Sequence, residues 1–159
     1  MIRPILLGLS AAIAAGILFA NLYTSLVDAP NWGADLPHSL VAARQYFTVA
    51  HPGSFFRIIS PINQVLALIA VIVCWKSGSA RYIALGSLAL AVLADVFTFG
   101  YFYPRNEILF VAPIEASVDT VRRAWGEWST MNWVRSALCG VNTVLAFMIL
   151  ITTSKKSAL

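Results

Sequence analysis

The chain has 159 residues, of which 59% are hydrophobic and 11% are charged. Soluble domains carry about 25% charged residues, and one domain of this length cannot bury so much apolar surface. The composition therefore excludes a water-soluble globular domain, and the high hydrophobicity excludes a disordered chain. The formal charge of +4 comes from scattered Lys and Arg residues, which favours a membrane protein over a nucleic-acid-binding one.

Four apolar stretches are long enough to cross a bilayer as helices, because a hydrocarbon core of about 30 Å needs about 20 helical residues. In chain order, they are predicted at 5–27, 55–75, 82–103 and 131–152. The second span starts or bends at Pro61, and the third stops at Pro104. The first span lacks a small-x-small cleavage site, so we expect it to be retained rather than removed as a signal peptide. The predicted fold class is all-α.

The spans predict a single integral membrane domain, residues 1–159, built as a four-helix bundle with two outer loops. Each loop is predicted to contain a short amphipathic helix, one at 37–50 and one at 114–128. One face of the first span is also predicted to pack closely against another helix, because it carries a small residue at every fourth position. These residues are Gly8, Ala12, Gly16 and Ala20.

Cations in short loops predict the orientation of the bundle. The N-terminus, the loop after the second span and the C-terminal tail hold cations and no acid. They are Arg3, Lys76, Arg81, Lys155 and Lys156. We therefore expect both termini to be cytoplasmic, the two long loops to be outside, and the membrane to be the plasma (inner) membrane.

Polar side chains form stripes in the outer half of the predicted bundle, where an unpartnered polar group in hydrocarbon is costly. Asp95 lies eight residues before Tyr103, about 12 Å below the outer end of its helix. A carboxylate at this depth is expected to be neutral or paired, and Arg135 is the nearest candidate cation on another helix. Two interpretations stay open: the two residues lock the bundle, or Asp95 is a general base or ligand anchor in a polar-lined cavity.

Further polar residues belong to the same outer half. The stripe on the first span consists of Asn21, Thr24, Ser25 and Asp28, with Asp28 interpreted as a turn or cap residue. The second and fourth spans contribute Asn63 and Asn132.

Neither the cysteines nor the histidines form a recognisable cofactor motif. Cys74 and Cys139 are isolated from each other in apolar stretches, and His38 and His51 lie 13 residues apart in one loop. We expect no cofactor and no metal, and we interpret the histidines as interfacial. The alternative is a haem or metal held by His38 and His51.

Short motifs along essentially the whole chain resemble one family of small four-helix membrane proteins. The stretch 104–109 resembles the family's P-x-N-x-x-L element, and Trp128, Asn132 and Arg135 resemble its W-x-x-x-N-x-x-R entry into the last helix. The first span carries a similar G-x-x-F-A pattern that starts at Gly16. In order and spacing, these motifs resemble the anthrone oxygenase-like proteins.

This resemblance implies a cofactor-independent oxygenase that oxidises anthrone-like aromatic substrates with O₂. The motif positions are Asn106, Trp128, Asn132 and Arg135. Some members carry His where this chain has Asn132, so a histidine base at that position is in doubt. Such a reaction needs a base, an oxyanion stabiliser and an apolar slot. We assign the base to Asp95, the oxyanion group to Arg135 with Asn132, and substrate binding to Asn21, Asn63, Phe99, Phe102, Asn106 and Trp128.

A non-enzymatic interpretation stays open beside the oxygenase. The same outer cavity would serve a lipid- or quinone-binding module, or an accessory subunit of a membrane complex. The expected partners are the lipid bilayer, a small hydrophobic ligand or substrate, and a second copy or another membrane-complex subunit. We expect no nucleic acid, and a transporter is disfavoured because the inner half of the bundle is almost purely apolar.

Overall fold

The computed structural model of this chain describes residues 2–113 and 117–155, with side chains as far as residue 153. Ile114 and Lys156, used in the patterns above, lie outside the described residues. The described part forms five helices and contains no strand. They are α1 (Ile2–Gly33), α2 (His38–Tyr46), α3 (Pro52–Cys74), α4 (Ser79–Val111) and α5 (Val118–Lys155).

Four of these helices, α1, α3, α4 and α5, are long and apolar enough to cross a membrane. This confirms the predicted all-α membrane bundle. We call the end of the bundle that holds α2 the α2 end, and the end that holds Arg3 and the loop from α3 to α4 the termini end.

All four membrane helices extend further than predicted at the α2 end. Helix α1 continues past Val27 to Gly33, and α5 begins at Val118 rather than Met131. The described part of the 114–128 segment is therefore the first part of α5, and the prediction of a separate amphipathic helix there is wrong. The other predicted amphipathic helix exists as α2.

The predicted end of a helix at Pro104 is also wrong, because α4 continues to Val111. A π-helical turn, Thr98–Phe102, precedes Pro104, and the proline occupies the first turn of the α-helical segment that follows. A proline is tolerated at this place because its missing N–H group has no partner to lose. Pro30 follows the π-helical turn Thr24–Asp28 of α1 in the same way.

Helix α3 begins before its predicted start and runs through Pro61 without ending there. His51 caps its first turn, because the ring Nδ1 accepts from the N–H of Gly53 at 3.1 Å. The hydroxyl of Ser54 accepts from the N–H of His51 at 3.4 Å, which completes a capping box. Of the two alternatives for Pro61, a helix start is therefore excluded.

The stripe of small residues on α1 does not pack within the chain, so that packing prediction is wrong. Ala12 and Gly16 are exposed, and a Cβ atom added at Gly8 or Gly16 would meet nothing within 4 Å. The buried residues recur instead at alternating spacings of three and four, which is the seam of left-handed bundle packing. That seam consists of Leu7, Ser10, Ala14, Ile17 and Asn21, and Ala11 is buried beside it.

An aromatic core joins the helices at the α2 end. The rings of Trp32 and Trp128 lie 5.3 Å apart, and those of Phe102 and Trp128 lie 5.6 Å apart. Leu40 of α2 and Leu109 of α4 are fully buried in the same cluster. This core holds α2 against α1, α4 and α5.

Arg44 fastens α2 to the last turn of α4. Its guanidinium donates to the carbonyl oxygens of Leu109, Ala112 and Ile108 at 2.8, 2.9 and 3.2 Å. These carbonyls lie at a helix C-terminus, where the backbone has no further N–H partners and a cation is favourable. Arg44 therefore serves as a cap supplied by another helix.

We expect Arg44→Met to release α2 from α4, because three carbonyls lose a charged donor that contributes about 1.5–3 kcal/mol per hydrogen bond. Hydrogen–deuterium exchange should accelerate at residues 38–46 and 107–112, with no change at the termini end. Arg122→Met is the control, because within the described part of the chain Arg122 forms its ion pair with the exposed Asp119. Unchanged exchange at 38–46 in Arg44→Met would show that the cap does not hold α2.

Candidate functional site

Arg135 lies at the centre of a buried polar cluster between α1, α4 and α5, although its side chain carries a full charge. The residue is only 8% exposed. Its Nη2 donates to Oδ1 of Asn132 at 2.5 Å, and its Nη1 lies 3.5 Å from the hydroxyl of Thr98. We call Ser25, Thr98, Phe102, Trp128, Asn132 and Arg135 the Arg135 cluster.

Asn132 connects this cation to the first helix. While its Oδ1 accepts from Arg135, its Nδ2 donates to the hydroxyl of Ser25 at 2.7 Å. The same Nδ2 also lies 3.4 Å from the backbone carbonyl of Asn21. Asn132 is fully buried and fixed by these contacts, so it orients the guanidinium of Arg135.

Aromatic rings surround the guanidinium. Its Cζ lies 4.2 Å from the ring centre of Phe102, 5.5 Å from that of Phe56 and 5.9 Å from that of Trp128. Trp128 is held in turn by its indole N–H, which donates to Oδ1 of Asn106 at 2.8 Å. Four predicted site residues therefore meet around Arg135 through direct contacts or one intermediate: Asn132, Phe102, Trp128 and Asn106.

No acid neutralises Arg135 by direct contact. Three ion pairs lie within the described ranges 2–113 and 117–153, and none of them involves Arg135. Among the described residues, its Nε is buried without a hydrogen-bond partner. A buried cation without a directly paired acid costs several kcal/mol, so this side chain has a strong attraction for an electron-rich group.

Asp95 makes its closest contacts with α3 rather than with Arg135. Its Oδ2 accepts from Nε2 of Gln64 at 2.6 Å, and Ser60 is a second hydrogen-bond partner. Arg135 interacts with Asp95 electrostatically but not within the distance of an ion pair. Asp95 is half-buried, so it borders the Arg135 cluster without belonging to it.

We expect Asp95→Leu to lower the free energy of unfolding by about 1–3 kcal/mol, because Gln64 and Ser60 would lose their acceptor. Asp95→Asn keeps an acceptor oxygen of the same shape, so its stability should stay close to that of the native chain. Thermal unfolding in detergent would measure both variants. Equal destabilisation by the two substitutions would contradict this account of the contacts.

An open groove lies beside the Arg135 cluster, between α1, the chain after α2 and the start of α3. Its volume is about 430 Å³, within the range of roughly 300–1,000 Å³ typical of small-molecule sites. Asp28 and Thr24 line it from α1, and His51 and Phe56 line it from the start of α3. Phe56 lines the groove, and its ring centre also lies 5.5 Å from the guanidinium Cζ of Arg135, so this side chain connects the groove to the Arg135 cluster.

The structure does not bring every predicted site residue into this arrangement. Asn21 is buried against α5, where its Nδ2 donates to Sγ of Cys139 at 3.4 Å and its Oδ1 has no partner. Asn63 is buried in α3. Phe99 is 59% exposed, and its ring packs against Tyr103, with the two centres 4.9 Å apart.

The two histidines have separate surroundings. His38 is exposed and contacts Asp35 through Nδ1 at 3.3 Å, whereas His51 caps α3 and lines the groove. No group of three His, Cys, Asp or Glu residues in the described part of the chain is placed to hold a metal ion. A metal site of three such residues therefore has no ligand set among them, and the haem alternative, which needs only one or two axial ligands, stays a prediction.

Sequence reasoning missed Phe56 as a groove residue. It placed Asp28 in the polar stripe of the first span but interpreted it as a turn or cap residue, and it considered His51 only as a haem or metal ligand. Phe56 has no signal in the sequence, since an aromatic residue at the edge of a span is ordinary.

The comparisons with known proteins add no relative to this picture. No protein family, characterised protein or solved structure matches the chain. The resemblance to the anthrone oxygenase-like family therefore stays a prediction, and the functional argument depends on the site alone.

Proposed function

We propose that this integral membrane protein binds a small hydrophobic ligand with an electron-rich oxygen, of the quinone or aromatic ketone class. The observation that carries the proposal is Arg135, a buried cation whose Nε has no hydrogen-bond partner and which contacts no acid among the described residues. Phe56 lines the open groove and lies 5.5 Å from this guanidinium. The groove binds the rings of the ligand, and the guanidinium binds its oxygen after Phe56 changes its rotamer.

Two physical arguments favour this ligand class. A guanidinium in a low-dielectric environment interacts strongly with a carbonyl or oxyanion, because little water screens it. The aromatic rings of Phe47, Phe55 and Phe56 line the groove and offer faces and edges for a flat ring system. A purely aliphatic ligand would use neither feature.

Binding can be tested by titrating the protein in nanodiscs with menadione and following tryptophan fluorescence. We expect saturable quenching, and binding of 2-methylnaphthalene, which lacks the two oxygens, about 10-fold weaker or more, because a hydrogen bond to a charged group contributes about 1.5–3 kcal/mol. Empty nanodiscs correct for partitioning into lipid. Equal binding of the two compounds, or quenching that does not saturate, would overturn the proposal.

A second candidate function is the O₂-dependent oxidation of an anthrone. One observation favours it: the carboxylate of Asp95 lies within electrostatic reach of Arg135 without being neutralised by it in a direct pair. Asp95 would remove a proton from the methylene carbon of the anthrone, and Arg135 with Asn132 would stabilise the enolate oxygen. The enolate then reacts with O₂, so that one anthrone and one O₂ give one anthraquinone and one water.

Oxygen uptake with 1,8-dihydroxyanthrone tests this candidate. Asp95→Asn keeps the contacts of the side chain but not its basicity, so we expect turnover to fall by about 100-fold or more. Turnover by the folded Asp95→Asn variant at the native rate would remove Asp95 as the base. Binding of menadione with no turnover of the anthrone would leave the protein as a binding module.

We also propose that the termini end faces the cytoplasm of the plasma membrane. Arg3 and Arg81 lie at that end, where Arg3 donates to the hydroxyl of Ser77 at 2.7 Å and Arg81 stacks over Trp75 and Tyr82. Cations flanking membrane spans favour the cytoplasmic side. C-terminal fusions test this: green fluorescent protein should fluoresce and alkaline phosphatase should be inactive, and the opposite pattern would reverse the orientation.

A further inference from the structure

We infer that Asp28 makes the groove prefer an aromatic ketone with a free hydroxyl group over the corresponding methyl ether, while His51 binds the carbonyl that both compounds share. The inference rests on the proposed binding function and names the groups of the ligand that the groove distinguishes. Asp28 supplies a hydrogen-bond acceptor for the hydroxyl, and His51 supplies a donor for the carbonyl.

Asp28 has unused capacity to accept hydrogen bonds. A carboxylate accepts about four hydrogen bonds, and the hydroxyl of Thr24 lies close to the carboxylate of Asp28. The hydroxyl of Thr24 has a single proton, which it donates to the carbonyl of Ala20 at 2.9 Å. The carboxylate is therefore free to accept from a group that enters the groove.

The position of Asp28 also makes it a common wall of two cavities. It lines the groove and a second cavity of about 370 Å³ under α2, and Tyr46 and Phe47 line both as well. A ligand that occupies either space lies against this carboxylate. A ligand without a hydrogen-bond donor displaces water from Asp28 and does not replace the lost hydrogen bonds. This lowers the binding free energy by about 1–3 kcal/mol.

His51 offers the complementary group. Its Nδ1 accepts the N–H of Gly53 at 3.1 Å, so in the neutral ring the proton is on Nε2. Arg57 approaches Nε2 to 3.5 Å through a nitrogen that is itself only a donor. The two donors cannot bond to each other, so the Nε2–H group is available to a carbonyl oxygen of the ligand.

The test compares 6-hydroxy-2-acetonaphthone with 6-methoxy-2-acetonaphthone. The second compound has a methoxy group in place of the hydroxyl, so it lacks the hydrogen-bond donor. We expect the native protein in nanodiscs to bind the hydroxy compound about 10-fold more tightly. Asp28→Leu should bind both with the affinity of the methoxy compound, and Asp28→Asn, which keeps a weaker acceptor, should show an intermediate preference. Asp119→Leu is the matched control, because Asp119 is exposed at the start of α5 and should leave the preference intact.

The outcomes separate the inference from the proposed function. Equal, saturable binding of the two ketones by the native protein would overturn the role of Asp28 while the groove stayed a binding site. An undiminished preference in both Asp28 variants would overturn it too. If neither ketone bound saturably, the proposed function itself would fall.

Discussion

Replacing Arg135 by Gln is expected to weaken menadione binding by about 10- to 100-fold with little change in stability. Glutamine keeps an N–H donor for Asn132 but removes the charge, and a charged hydrogen bond contributes about 1.5–3 kcal/mol to binding. The stability should change little because the native cation is already costly: it is buried without a contacting acid. The neutral Gln side chain removes the desolvation cost of burying the cation, which offsets the contacts that it loses.

Arg105→Gln is the matched control for this substitution. Arg105 lies at the same end of the bundle, but it is paired with Glu127 at 2.7 Å and stacks over Tyr101 at 3.5 Å. Its replacement should lower the stability modestly and leave the affinity for menadione unchanged. An unchanged affinity in Arg135→Gln, or an equal loss of affinity in the two variants, would remove Arg135 from the binding site.

Gly33→Ala should lower the free energy of unfolding by about 1–3 kcal/mol, which is the usual cost of overpacking a tight contact. A Cβ atom at position 33 would overlap the indole ring of Trp125. That ring cannot easily move away, because its N–H donates to the carbonyl of Ala29 at 2.8 Å. The contact joins the end of α1 to the first turns of α5, so the whole α2 end should loosen.

Gly126→Ala is the control, since a Cβ atom there meets nothing within 4 Å and Ala is favoured over Gly in a helix. It should be neutral or stabilising in thermal unfolding. The penalty of Gly33→Ala should shrink in a Trp125→Leu background, which removes the overlapping atoms. A penalty that persists in that background would place the cause of the instability elsewhere.

The apolar spans could be predicted from the sequence because they depend on length and composition alone. The helix ends could not be predicted in the same way. A proline usually ends a regular α-helix, but no regular α-helix directly precedes Pro104 or Pro30. The π-helical turns Thr24–Asp28 and Thr98–Phe102 change the hydrogen-bonding pattern before each proline. Neither the hydropathy pattern nor the position of the prolines indicates such a turn.

The site was predictable to the extent that buried polar residues must meet one another. Arg135, Asn132 and Trp128 do meet, as their shared helical face indicates. The partner of Asp95 was not predictable, because which neighbouring helix supplies it depends on how α3 and α4 are rotated in the bundle. The same rotation leaves Phe99 exposed while Phe102, three residues later, is fully buried.

Photoaffinity labelling tests the central claim, that the groove beside Arg135 is the binding site, most directly. The protein in nanodiscs would be irradiated with an azido-naphthoquinone, with and without excess menadione, and the labelled peptides identified by mass spectrometry. We predict adducts within 20–28 and 46–56, the segments that line the groove, and their suppression by menadione. Adducts confined to other segments, or adducts that menadione does not suppress, would contradict it.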